Sequence, residues 1–290
     1  MFDRKVLKKR AKYVLAKSFF VSIVACFAVS LVRDLGTMVI FPNIPQIAKL
    51  GLMSGGRIYA IYIILALLIL ATIGVSVFIV GPLNVGLKNF MLRSADMDVD
   101  LHHLATPFKR NYKKIVWVTF VKNLFVFLWG LLGIIPVAVG FWYFKIGDRI
   151  MELDKLAKSG SVELAVSELS AMLTLLMIVV IIFLIPAFIK YLQYSMVEYI
   201  LAQEHYGTAL EIIGKSKEMM VGNKWAYIKL DLSFFGWVFF ATFIFFGLGA
   251  YLVLPYFEQT YAQMYLEISG QGKDYTFYDV INPNGGYGNI

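Results

Sequence analysis

Charge, cysteine and histidine are all scarce in this chain of 290 residues. Charged residues make up 16%, where a soluble globular domain carries about a quarter. Hydrophobic residues make up 59%, too many for the polar surface available to cover, so lipid is the expected solvent. The single cysteine, Cys26, excludes a disulfide framework within the chain. The three histidines supply no metal set. His102 and His103 are adjacent and point apart on a helix, His205 is distant, and Cys26 sits in an apolar run. No G-x-x-x-x-G-K-[ST] and no G-x-S-x-G occurs, and Gly247-Leu-Gly249 lacks the third glycine and strand of a nucleotide loop. With no nucleophile–base pair, no metal and no cofactor motif in view, the chain reads as non-enzymatic.

Basic charge is present, and its placement is informative. The net charge is +8, and seven of the 27 Lys and Arg lie in the first 17 residues, most others flanking apolar runs. The positive-inside rule produces that pattern, whereas a nucleic-acid binder gathers basic residues on a soluble face. Nucleic acid is therefore not an expected partner. The basic start also resembles a signal peptide, and Ile-Val-Ala-Cys ending at Cys26 resembles a lipoprotein box. The residues after Cys26 stay apolar and no small-x-small site ends the run, so an uncleaved first helix is expected.

A helix needs about 20 apolar residues to cross a bilayer core. Six stretches qualify: 18–41, 58–80, 115–144, 172–194, 226–246 and 250–266. Gly81-Pro82 ends the second, Pro136 and Pro186 lie inside the third and fourth, and Arg33 and Asp34 interrupt the first. The sixth is the weakest, because its second half reads Glu-Gln-Thr-Tyr-Ala-Gln; Gly247 and Gly249 suit a tight hairpin before it. The expected fold is all-α, a polytopic transmembrane helix bundle of about six spans, with five possible. A basic cytoplasmic arm covers 1–17, one transmembrane domain covers 18–268, and a disordered tail rich in Gly, Asn and Tyr covers 269–290. The basic arm and six Lys/Arg between residues 86 and 114 place the N-terminus on the cytoplasmic side, with 42–57 and 145–170 external. Six spans return the C-terminus to the cytoplasm; five leave it outside.

Two short amphipathic stretches look cytoplasmic or interfacial. Asp100 caps the first, with Leu101, Leu104 and Phe108 on one side and Lys109, Arg110, Lys113 and Lys114 following. Those four are the candidate contacts to anionic lipid headgroups, each contributing about 1 kcal/mol near the surface. Thr208 and Glu211 form a T-x-x-E capping box for the second. Ala209, Ile212, Ile213, Ser216 and Met220 follow on one face, Glu211 and Lys215 pair on the other, Gly222 ends the helix, and Trp225 sits at headgroup level. Such helices lie flat in the interface or pack on the bundle; both readings stand.

Ionisable residues within spans cost about 2.5–3.5 kcal/mol each, so they usually have partners. Lys122 lies five residues past Trp117 and Asp231 six past Trp225, both roughly 8 Å deeper than those tryptophans at 1.5 Å per residue. Lys190 stands eight residues before Glu198 on the descending fourth span, and Glu258 nine past Gly249. Lys122, Lys190, Asp231 and Glu258 thus form a candidate intramembrane polar cluster. It either pairs helices together or lines a water-accessible cavity, with Lys229 snorkelling to the headgroups.

Three blocks carry a family resemblance: GPLNVGLKNFMLR from Gly81, FLIPAFIKYLQYSMVEYILA from Phe183, and KSKEMMVGNKWAYIKLDLSFFGW from Lys215 with LPYFEQTYAQMYLE from Leu254. Together they resemble a bacterial integral-membrane family known as domain of unknown function 975, found mostly in Gram-positive bacteria. The resemblance covers residues 81–267, with 140–175 reading as an inserted external loop and extra helical length. It implies an all-α bundle in the cytoplasmic membrane and no catalytic residues. The functional expectation is an accessory, scaffold or lipid-interacting membrane component, with membrane lipids and a membrane protein as partners. The alternative is a small transporter or export component that uses the intramembrane charges.

Overall fold

The structure is a computed structural model that describes residues 3–40, 58–143, 155, 158, 162–203, 207–244 and 249–272. The expected external loop 42–57, most of 145–170, His205, Gly247 and the tail beyond 272 lie outside the described residues. Every element among the described residues is helical. In chain order they are α1 (Arg4–Ile40), α2 (Ile58–Val75), α3 (Gly81–Ala95), α4 (Thr106–Lys109), α5 (Tyr112–Gly130), α6 (Ile134–Tyr143), α7 (Val162–Gln193), α8 (Val197–Ala202), α9 (Ala209–Met219), α10 (Lys224–Ile244) and α11 (Gly249–Ile268). A π turn (Ser76–Val80) joins α2 to α3, and 3-10 turns occupy Leu101–Leu104 and Leu131–Gly133.

Five stretches among the described residues are long and apolar enough to cross a membrane: Arg4–Asp34, Ile63–Ala95, Tyr112–Val139, Ser170–Ala202 and Lys224–Ile244. Their apolar side chains are widely exposed. Ile63, Leu67 and Leu70 on α2, Leu175, Met177 and Ile181 on α7, and Phe235, Trp237, Phe240 and Phe243 on α10 face outward. Exposed apolar surface of that extent calls for a lipid solvent or another apolar surface.

The chain forms two compact units. The first comprises Met1–Phe120 and Met196–Ile290, the second Val121–Ser195. In the second, α7 packs on α6 and on the 3-10 turn before it. Gly133 permits that approach, since a Cβ there would come within 2.6 Å of Leu184 Cδ2.

In the first unit, α11 packs chiefly on α1 and also on α3 and α10. The sixth stretch is thus helical, though it is not among the five apolar candidates. Its polar residues explain both facts. Gln259, Thr260 and Gln263 are fully buried, so protein rather than lipid surrounds them. Hydropathy undercounts a helix of this kind, because its neighbours shield the polar side chains from hydrocarbon.

Gly81-Pro82 does not end the second span. Gly81 N–H donates to Ser76 O, which makes the π turn, and the helix resumes as α3 with the proline in its first turn. Pro82 has no N–H for the carbonyl four residues back, Phe78. Tyr112 Oη donates to that carbonyl at 2.9 Å. The freed group is satisfied from another helix, and the chain remains helical for fifteen more residues.

The capping box at Thr208 forms in both directions: Glu211 N–H donates to Thr208 Oγ1 at 3.3 Å and Thr208 N–H to Glu211 Oε2 at 2.9 Å. Ala209, Ile212, Ile213, Ser216 and Met220 are all buried. Ser216 Oγ accepts from Met196 N–H just before α8. The apolar face of α9 therefore packs on the protein, and of the two sequence readings the structure selects the packed helix. Gly222 follows in the left-handed conformation, with φ of 77°.

Candidate basic headgroup site

The residues between α3 and α5 fold over the end of α3. Ser94–Asp98 form a left-handed helix stop: Asp98 N–H donates to Arg93 O and Met97 N–H to Ser94 O. Met97 takes the left-handed φ of 64° that glycine usually supplies. Asp100 then caps the 3-10 turn, accepting from His102 N–H at 2.9 Å. The sequence reading of Asp100 as a cap is correct, but the element is a 3-10 turn followed by the single turn α4 rather than one continuous helix. Leu101 and Phe108 are exposed. Leu104 lies over Gly86, where a Cβ would come within 2.2 Å of its carbonyl oxygen. Glycine at 86 is what lets the turn seat on α3.

A cavity of about 430 Å³ opens between these elements. Asn89 and Arg93 reach it from one face of α3, spaced one helical turn apart. His102 and His103 come from the 3-10 turn, Thr106, Lys109 and Arg110 from α4 and its end, and Ala202 and Gln203 from the end of α8. Arg93, Lys109 and Arg110 bring three cationic side chains to it, and among the described residues no carboxylate lines it.

Both imidazoles are held from behind. His103 Nε2 lies 2.8 Å from Asp98 Oδ2 and His102 Nδ1 lies 2.8 Å from Asp100 Oδ2. The rings sit together with centroids 4.0 Å apart, His103 buried and His102 exposed. Asp100 is held below the ordinary carboxylate range, first by the His102 amide and then by the His102 ring. The amides are tethered too. Asn89 Nδ2 donates to His103 O at 3.4 Å, and Gln203 accepts from Tyr265 Oη and donates to Gln271 Oε1.

Of the four basic residues read from sequence as headgroup contacts, Lys109 and Arg110 line the cavity, while Lys113 and Lys114 stand outside it at the start of α5. Arg93, Asn89 and Gln203 were not legible as members. Arg93 belongs to a helix that the sequence reading ends at Gly81-Pro82, and Gln203 arrives from a distant part of the chain.

The four residues of the proposed intramembrane cluster fall in both units. Glu258 forms an ion pair with Lys88 of α3 within the first unit, and both side chains are largely buried. Lys88 also lies 5.2 Å from the ring centre of Tyr199. Asp231 is half-buried on α10. Two neighbouring backbone carbonyls take cations from α1, Lys229 O from Arg4 and Ser233 O from Lys8. Lys122 and Lys190 belong to the second unit, where Lys190 lies 4.9 Å over the Trp129 ring. Sequence reasoning did not name Lys88 as the partner of Glu258.

The family match takes in the cavity and the helices that frame it. The chain belongs to the family described as Protein of unknown function (DUF975), matched over residues 1–272. The DUF975 match extends the resemblance seen in 81–267 back to the basic start of α1 and across 140–175, so that stretch lies within the family region. No curated protein and no solved structure matches the chain significantly.

Proposed function

We propose that this DUF975 protein is a non-enzymatic component of a bacterial plasma membrane that engages anionic lipid headgroups through the basic cavity, with its N-terminus in the cytoplasm. The observation that carries this reading is the gathering of three cationic side chains in one cavity located at span ends. Arg93 stands two residues before the end of the Ile63–Ala95 stretch, Arg110 two before the start of Tyr112–Val139, and Ala202 ends Ser170–Ala202. Headgroup phosphates lie at that level of a bilayer. Cations there attract anionic lipid by about 1 kcal/mol each. The basic residues at the start of α1 support the same side as cytoplasmic under the positive-inside rule. Such a protein acts as an accessory or scaffold whose seating depends on the charge of the leaflet.

The test is the thermal midpoint of the purified protein in vesicles of phosphatidylcholine alone and of phosphatidylcholine with phosphatidylglycerol. The reading predicts a higher midpoint with the anionic lipid, reduced by Arg93→Gln and Arg110→Gln. Equal midpoints in the two vesicles refute it.

A further inference from the structure

The orphaned polar groups of the first unit collect around one helix. Among the described residues, Thr119, Tyr199, Gln259 and Gln263 carry buried side-chain oxygen or nitrogen atoms that meet no hydrogen-bond partner. Three of these four belong to the second half of α11 or lie against it. Tyr199 of α8 stacks on Tyr265, with ring centres 5.1 Å apart. Gln259 and Gln263 stand one turn apart on the same face of α11. Each is fully buried, and both atoms of each amide lack a partner. The two glutamines share a four-residue row with Tyr251 and Glu267, the side chains that bond Asp34 and Arg10 of α1. Between those two contacts α1 buries Ser18 and Ser22. Ser18 Oγ donates to Val14 O at 3.0 Å and Ser22 Oγ to Ser18 Oγ at 3.4 Å. Both hydroxyl protons are thus spent within α1, while lone pairs on the oxygens remain.

An amide enclosed in an apolar interior without partners is costly, and hydrocarbon offers none. Glutamines in a dry interface between spans bond a side chain across it. Gln259 and Gln263 do not. A small group that both donates and accepts completes the amides and the serine oxygens together, and water is that group. Buried water makes about three hydrogen bonds to such orphaned groups, so the two amides and two serine oxygens suit about two waters.

We infer that α11 binds a small cluster of internal water at Gln259 and Gln263, which bridges it to Ser18 and Ser22 of α1. Water then joins the two helices between their end contacts. The site is separate from the basic cavity and stands or falls independently of headgroup binding.

The experiment is X-ray radiolytic footprinting of the full-length protein in phosphatidylcholine nanodiscs, read by mass spectrometry. Radicals formed from bound water oxidise the side chains beside it, even those that bulk solvent does not reach. Met264 and Tyr265, next in the chain to Gln263, are fully buried. The inference predicts that both are oxidised in the native protein. Gln259→Leu with Gln263→Leu reduces that labelling severalfold and lowers the thermal midpoint, while labelling of the exposed His102 is unchanged. Met264 and Tyr265 unlabelled beside a labelled His102 overturns the inference, and this reading needs no variant to fold. Labelling that survives the leucine pair overturns it as well. So does a midpoint raised by the leucines, since that shows dry, unpartnered amides in the native protein.

Discussion

Arg10, near the start of α1, places Nη1 2.5 Å from Oε2 of Glu267, near the end of α11. Toward the other end of the same pair of helices, Tyr251 Oη donates to Asp34 at 3.1 Å and its ring meets Phe27 edge-on at 5.5 Å. The two helices run antiparallel between these two contacts. If α1 crosses a bilayer, α11 crosses it in return, despite its buried glutamines. α11 is 20 residues long, roughly 30 Å and about the thickness of the hydrocarbon core.

Reporter fusions at Met1 and after Gly272 are therefore expected to lie on one side of the membrane. Protease protection or a compartment-specific reporter reads this directly. Fusions reporting opposite sides show that the chain crosses an odd number of times.

The Lys88–Glu258 pair holds α3 to α11. Removing one partner leaves a largely buried charge, which costs about 3–5 kcal/mol, whereas replacing both by apolar residues of similar size is close to neutral. Lys88→Met and Glu258→Met should each lower stability in detergent by that order, and the double variant should recover most of it. Additive losses would show that the two side chains do not act as a pair.

Gly86 and Gly236 make a matched test of helix packing. A Cβ at 86 meets the Leu104 carbonyl, while one at 236 meets nothing within 4 Å. Gly86→Ala should destabilise by about 1–3 kcal/mol through overpacking and weaken anion binding by unseating the 3-10 turn. Gly236→Ala, in an open helix position, should stabilise by about 0.5–1 kcal/mol. Thermal unfolding of the two variants side by side checks both signs.

Asp100 gives the cavity a pH dependence of known sign. Its carboxyl is depressed in the folded protein, so its contribution is present above the ordinary aspartate value of about 3.9 and is lost as pH falls through the lower folded value. The His102 amide should accordingly lose hydrogen-exchange protection in that acid range, after correction for intrinsic rates. Asp100→Asn keeps a capping oxygen that does not titrate and should flatten the dependence. An unchanged pH profile in the variant would place the effect elsewhere.

The helical fold and its local stops are legible in the sequence, and the long-range pairings are not. Thr208, Glu211 and the buried face from Ala209 to Met220 follow from spacing alone, because capping and amphipathicity are local. Asp100 reads as a cap for the same reason. Gly81-Pro82 reads as a terminus, because the donor that rescues the Phe78 carbonyl is Tyr112, which no local rule anticipates. That one misreading turns Lys88 and Arg93 from helix residues into loop charges and hides both the partner of Glu258 and one wall of the cavity. Counting depth from tryptophans brings Lys122 and Asp231 level, but depth does not say which way each helix faces.

The most direct measurement is a cryo-EM map of the protein in nanodiscs containing an anionic phospholipid. The account predicts phosphate density within hydrogen-bonding distance of Arg93 and Arg110, lost in Arg93→Gln. A cavity without phosphate, with headgroups ordered instead along Lys113 and Lys114, would contradict it.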